Sequence, residues 1–111
     1  MEEIRRDDGE LCGFIVPVGP RWRAETVFGA VLAEVPARDH AARVVLDVGL
    51  ASLAERWLLR GGEEGEQIVC IQEASPDGVT LALDHYSMPG VPTLRITRDE
   101  LAAGRYDLRR S

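Results

Sequence analysis

Two residue types are missing from this 111-residue chain. It contains no lysine and no asparagine, and all thirteen of its basic side chains are arginine. Without lysine there can be no Schiff-base enzyme, no pyridoxal-phosphate anchor and no phosphate-binding loop of the kind that needs a lysine side chain. Without asparagine, a Cys-His-Asn nucleophile arrangement is also excluded. Composition alone therefore removes several classes of enzyme.

Cysteines and long apolar runs are also scarce. The two cysteines, Cys12 and Cys70, lie far apart in the sequence, which is typical of reduced, buried thiols rather than of a disulfide framework. No run approaches the roughly twenty apolar residues of a membrane span. The N-terminal segment lacks the apolar stretch of a secretory signal. We therefore expect a cytoplasmic protein that is neither exported nor inserted in a membrane.

The charge balance is acidic. Nineteen acidic side chains against thirteen arginines give a net charge of -6, and such a surface repels phosphate backbones and anionic lipid. Apolar residues make up 45% of the chain and charged residues 29%, as in ordinary folded proteins. These values and the chain length predict one domain over residues 1–111.

The first third of the sequence predicts strands. The dipeptide Asp8-Gly9 between residues 2–6 and 10–16 is typical of a tight hairpin. Apolar and polar side chains then alternate over residues 22–28, which predicts a third strand with one apolar face ending near residue 29.

One amphipathic helix is predicted over residues 39–48. Apolar side chains between Ala41 and Val48 recur at helical spacing, with charged side chains on the opposite side. Gly49 is expected to end the helix in the left-handed conformation. Beyond it, the spacing predicts a short helical turn over 50–55 and a strand over 56–60.

A second hairpin is predicted around Pro76 and Asp77. Strands over 67–74 and 79–84 would flank this turn, with Gly78 left-handed and Ser75 opposite Val79. An acidic loop over 61–66 precedes the hairpin.

The last part of the sequence predicts a strand and a short helix. The strand covers residues 93–96, and the sequence from Thr97 to Glu100 matches a capping box that would begin a helix ending at Gly104. The expected fold is α+β: a curved antiparallel sheet, either open or partly closed like a small barrel, with one main amphipathic helix and a short C-terminal helix.

Catalytic and metal sites are not expected. Asp84 and His85 stand beside each other, but consecutive strand residues point to opposite faces, so the carboxylate cannot orient the imidazole toward Cys70. The thiols and imidazoles of the chain have no metal-ligand spacing. We therefore predict no catalytic residues, no metal and no cofactor.

The leading functional hypothesis is a non-enzymatic module that binds another protein or its own copy. The loop over residues 87–92 contains two prolines and follows a tyrosine, and it holds apolar side chains typical of interface anchors or of a plug for the sheet end. Exposed sheet edges offer a second docking route. The predicted binding residues are His85, Tyr86, Met88, Val91 and Arg95.

The sequence is also compatible with two other functions. The first is the binding of an anionic small molecule, or of a modest enzyme substrate, in a pocket that uses His85, Tyr86 and Arg95, because the forked donors of arginine suit carboxylates and phosphates. The second is nucleic-acid contact through the arginines of residues 95–110, which the overall negative charge disfavours.

Overall fold

The computed structural model describes residues 1–62, 65–83, 90 and 92–111. These residues form two antiparallel sheets and two α-helices. The first sheet has the order β1-β2-β3-β4 and consists of β1 (Glu2–Arg5), β2 (Leu11–Val18), β3 (Arg21–Glu25) and β4 (Val31–Val35). The second has the order β8-β7-β6-β5-β9 and consists of β5 (Arg56–Gly62), β6 (Gly65–Ser75), β7 (Gly78–Ala82), β8 (Thr93–Thr97) and β9 (Asp107–Arg110). The helices are α1 (Arg38–Val48) and α2 (Arg98–Ala102), and a 3-10 helix covers Ala51–Ala54.

The α+β class, the main helix and the short C-terminal helix are confirmed. The strands are antiparallel, as predicted, but they form two open sheets rather than a single or a closed one. The predicted third strand stops at Glu25, because the chain reverses between Thr26 and Ala30, where two hydrogen bonds join these residues at 2.9 and 3.0 Å. After this turn the chain forms β4, and α1 and the 3-10 helix then lead to β5, the first strand of the second sheet. Strands β4 and β9 were not predicted from the sequence.

The second hairpin forms with a different register from the predicted one. Ser75 pairs with Gly78 at the turn instead of with Val79, and a bulge in β6 between Ile71 and Glu73 then places Ile71 opposite Leu81. Gly78 is not left-handed. It lacks a side chain for a steric reason, since a Cβ atom there would lie 2.4 Å from the carbonyl oxygen of Ile96 on β8. The loop before the hairpin is also shorter than predicted, since β5 and β6 extend into it.

Helix α1 packs on the first sheet, as its pattern predicts. Ala41 and Val45 are fully buried and lie in the same apolar cluster as residues of β2, β3 and β4. The prediction for Gly49 was wrong, because its φ of -55° is right-handed. A Cβ atom at Gly49 would lie 2.4 Å from the carbonyl oxygen of Cys12, so this glycine allows the helix end to approach β2 closely.

Two apolar clusters hold the described residues together. One lies between α1 and the first sheet. The other covers the inner face of the second sheet around Trp57, whose ring meets that of Phe28 edge-on at 5.7 Å. The side chain of Leu32, on β4, packs against both clusters. This residue therefore connects the two sheets.

Helix α2 has the predicted beginning and end. The Thr97 hydroxyl accepts from the Glu100 amide at 3.1 Å, and the Glu100 carboxylate accepts from the Thr97 amide at 3.0 Å. At the other end Gly104 is left-handed, with φ of 77°, and its amide donates to the Leu101 carbonyl. The amide of Arg105 donates to the Glu100 carbonyl, which completes a Schellman motif. No described helix is long and apolar enough to cross a bilayer.

Candidate cleft between two sheet edges

The structure describes one of the five predicted binding residues. Four lie outside the described residues: His85, Tyr86, Met88 and Val91. Arg95 lies exposed on β8, where its Nη1 atom donates to the Thr80 hydroxyl at 3.2 Å. It lines an open depression on the face of β6, β7 and β8 together with Glu73, Ala74 and Ser75. The predicted pocket around His85 therefore stays a prediction.

A different cavity lies between the two sheets. A cleft of about 460 Å³ opens between β4 and β9, which are the last strands of their sheets. Its walls are formed by Arg23 of β3, by Val31, Leu32 and Glu34 of β4, and by all four residues of β9. Two edge strands therefore flank one concave surface.

A bulge in β4 shapes this cleft. Ala24 pairs with Ala33 and Glu25 with Val31, which leaves Leu32 as the extra residue. Leu32 packs against the second sheet's cluster, which includes the buried Leu108 of β9. Val31 stays 45% exposed, the largest value for a strand aliphatic side chain among the described residues. The bulge thus joins the sheets at one residue and exposes an apolar side chain next to it.

Arg23 lies where this cleft meets a smaller inner chamber. The chamber measures about 220 Å³ and is lined by Arg23, Glu25 and Val31 on the first sheet's side and by residues of α2 on the other. The Nη2 atom of Arg23 lies 3.5 Å from Glu34, its Nη1 atom lies 3.9 Å from Glu25, and its Nε atom is buried without a hydrogen-bond partner. Arg23 is thus the described arginine common to both cavities.

Glu25 is an acid held inside the protein. Its side chain is only 11% exposed, and it lies 3.4 Å from Arg98 as well as near Arg23. Burial raises the pKa of the Glu25 carboxyl above its usual 4.5, and the positive charges of Arg98, Arg23 and the N-terminus offset this only in part. Burial therefore favours the neutral form of this carboxyl more than the nearby positive charges favour its ionised form.

Arg98 differs from Arg23 in that its donors are used. Its Nη1 atom donates to the carbonyl of Val27 at 2.9 Å and approaches that of Pro76 at 3.4 Å. Its Nη2 atom reaches Glu25, and its guanidinium lies over the Phe14 ring. Because these partners belong to the first sheet and to the β6–β7 turn, Arg98 connects α2 to both sheets. We therefore assign Arg98 a structural role.

The cleft and the chamber are locally more positive than the rest of the protein. Together they contain four arginines and three carboxylates, a local charge of +1 in a chain whose net charge is -6. The positive side chains are Arg23, Arg98, Arg109 and Arg110, and the negative ones are Glu25, Glu34 and Asp107. Such a lining offers guanidinium donors and aliphatic contacts to an anionic, partly apolar ligand.

The described residues contain no group of three or more histidine, cysteine or acidic side chains that could hold a metal ion. Comparison with protein-family models, with curated proteins and with solved structures finds no match to this chain. The site is therefore defined by its own geometry.

The cleft was not predicted from the sequence, because neither of its flanking strands was predicted. The apolar run from Val31 to Val35 directly before Pro36 was the available signal for β4. For β9 the signal was weaker, a single Leu108 between charged neighbours. Nothing in a sequence states that the last strands of two different sheets face each other.

Proposed function

We propose that this protein is a cytoplasmic, non-enzymatic module that binds an extended acidic segment of a partner protein in the cleft between β4 and β9. The observation that carries this proposal is the position of two unpaired sheet edges on one cleft, in the part of the chain that the structure describes. An edge strand presents free backbone donors and acceptors, which an extended peptide can satisfy by pairing as an added strand. The segment pairs with β4 and covers the exposed side chain of Val31.

Charge supports an acidic segment. Arg109 and Arg110 of β9 line one side of the cleft, and Arg23 lies on the other. These arginines attract acidic side chains and set the register of the segment, since complementary charge contributes mainly specificity and association rate. Pairing of two copies through this cleft would place the same arginines, Arg23, Arg109 and Arg110, against each other. The partner is therefore a different protein.

The two alternatives predicted from the sequence stay predictions. A small anionic molecule near His85, Tyr86 and Arg95 would use residues that are mostly outside the described ones. The described depression beside Arg95 measures about 520 Å³, but it is more open than the cleft, and Arg95 is the one arginine in its lining. Nucleic-acid contact would need the C-terminal arginines on one free surface, whereas Arg98 turns inward to contact Val27 and Glu25.

Selection from a displayed library of random linear peptides tests the proposal. We expect selected peptides to be rich in aspartate and glutamate, with aliphatic or β-branched residues between them. The Val31→Ser variant should bind them about tenfold more weakly, because it loses one aliphatic contact. Leu46→Ser is the matched control, since Leu46 is a 38% exposed aliphatic residue on α1.

Backbone pairing has its own test. A selected peptide is methylated at one backbone amide at a time. Methylation of an amide that pairs with β4 should abolish binding, and methylation of the alternate amides should leave the affinity unchanged. Selection of basic peptides, equal binding by Val31→Ser, or indifference to methylation at every position would contradict the proposal.

A further inference from the structure

Arg23 has hydrogen-bonding capacity that its described neighbours do not use. A guanidinium carries five N–H donors. Arg23 makes one long hydrogen bond, from Nη2 to Glu34 at 3.5 Å, while its Nη1 atom is 3.9 Å from Glu25, beyond hydrogen-bond distance. The Nη1 donors therefore have no close described acceptor, although they belong to a side chain that lines the cleft. The Nη1 donors of Arg23 are therefore available to a second acceptor.

The two carboxylates near Arg23 differ in how firmly they are held. Glu25 is nearly enclosed and also contacts Arg98. Glu34 lies directly opposite Arg23 on the edge strand β4, and its side chain is 44% exposed. It can therefore turn into water at little cost when another acceptor reaches Arg23. Glu34 is the exchangeable partner, and Glu25 is the fixed one.

We infer that Arg23 receives a carboxylate of the bound segment and that Glu34 occupies Arg23 in the free protein until this carboxylate displaces it. The inference rests on the proposed function, since the cleft delivers the segment to Arg23. It names the chemistry recognised there as a planar carboxylate, held by the guanidinium through two parallel hydrogen bonds. The contact between Glu34 and Arg23 thus lowers the affinity of the cleft for its partner.

Variants of the two residues should act in opposite directions. Arg23→Lys keeps the charge and loses the forked geometry, so a selected acidic peptide should bind it about tenfold more weakly. Glu34→Gln removes the competing carboxylate and should bind the same peptide several-fold more tightly. A gain of affinity cannot result from poor folding, so this variant keeps the test decisive.

The matched controls lie on α1. Arg43 and Asp47 form an exposed ion pair at 3.9 Å, and neither residue lines the cleft or the inner chamber. Arg43→Lys and Asp47→Asn should leave peptide affinity unchanged. If they shift it as much as the cleft variants do, the effect comes from the overall charge of the protein, and the inference is wrong.

The peptide carboxylate is identified by replacing each acidic residue in turn with its amide, and by comparing a free with an amidated C-terminus. One replacement should weaken binding to the native protein about tenfold and leave binding to Arg23→Lys nearly unchanged. An amidated C-terminus with this effect would mean that Arg23 receives the terminal carboxylate instead of a side chain. Additive losses at every position would overturn the inference.

A probe without a peptide backbone separates this inference from the proposed function. Glutarate, titrated into the protein, should shift the NMR signal of the Arg23 Nε–H group. Dimethyl glutarate, which has no free carboxylate, should not shift it at the same concentration. A shift with glutarate, with no peptide selected, would retain the carboxylate site and reject the peptide-binding module. Peptides that bind β4 with no response from Arg23 or Glu34 variants would reject the inference alone.

Discussion

The guanidinium carbon of Arg98 lies 4.5 Å from the centroid of the Phe14 ring. Arg98 is the first residue of α2, and Phe14 lies on β2, so this cation–π contact joins the C-terminal helix to the first sheet. The same guanidinium donates to Val27 and contacts Glu25. This side chain thus helps to hold together the two sheets whose edges flank the cleft.

Replacing Arg98 should therefore destabilise the whole fold. Arg98→Met keeps most of the side-chain length but leaves the buried carboxylate of Glu25 without its nearest positive partner. We expect the free energy of unfolding to fall by about 3 kcal/mol, as is usual when one partner of a buried pair is removed. Urea unfolding measures it. Arg105→Met is the control, because the Arg105 side chain is 71% exposed and its pair with Glu100 should contribute little. Equal midpoints for the two variants would contradict this role.

The free energy of unfolding should depend on pH through the ionisation of Glu25. Its folded-state pKa is raised above 4.5 by burial, so the folded protein holds this proton more tightly than the unfolded chain does. The contribution of Glu25 to stability is therefore complete below about pH 4.5 and is lost as pH rises through the folded pKa. Glu25→Gln has no group to titrate there. It should gain stability relative to the native protein as pH rises above about 4.5 and through the folded pKa of Glu25.

Asp8 provides a control of opposite sign for this measurement. The amide of Glu10 holds the pKa of Asp8 below its usual 3.8, so Asp8 stabilises the fold once ionised and this stabilisation is lost as pH falls through the folded pKa. Asp8→Asn should therefore lose stability relative to the native protein as pH rises. If Glu25→Gln and Asp8→Asn showed the same slope of relative stability against pH, the description of Glu25 would be wrong.

Gly49 should tolerate no side chain. A Cβ atom there would lie 2.4 Å from the Cys12 carbonyl oxygen and 2.5 Å from that of Val45, and both contacts are backbone atoms. Gly49→Ala should therefore cost more than about 2 kcal/mol, since helix α1 must move off β2. Gly9→Ala, at a turn with φ of 89° and no atom near its Cβ, should cost about 1 kcal/mol through backbone strain alone. Thermal unfolding compares the two, and an equal loss would show that α1 adapts freely.

Local patterns predicted the local elements of this protein well. The apolar spacing from Ala41 to Val48 identified α1, and the capping box at Thr97 identified α2, because each signal depends only on neighbouring residues. The predictions for Gly49 and Gly78 failed for one common reason. Each was assigned a left-handed backbone from its place after a helix or in a turn, but each is required by a close approach of another element, which residues distant in sequence determine.

The candidate site could not be predicted in this way. Its geometry depends on the bulge at Leu32, on the pairing of β9 with β5, and on Arg98 reaching the first sheet from more than seventy residues away. The binding residues predicted from the sequence were chosen because they lie in or near an apolar segment with two prolines. Four of these five residues lie outside the described ones, so that prediction stays a prediction.

Amide hydrogen exchange of the protein, with and without a selected acidic peptide, tests the central claim most directly. If the peptide pairs with the edge of β4, amides of Val31–Val35 should exchange more slowly in the complex, while those of Glu2–Arg5 at the opposite edge of the same sheet should not change. Protection at Glu2–Arg5 or across β8, with β4 exchanging as in the free protein, would show that the partner binds elsewhere.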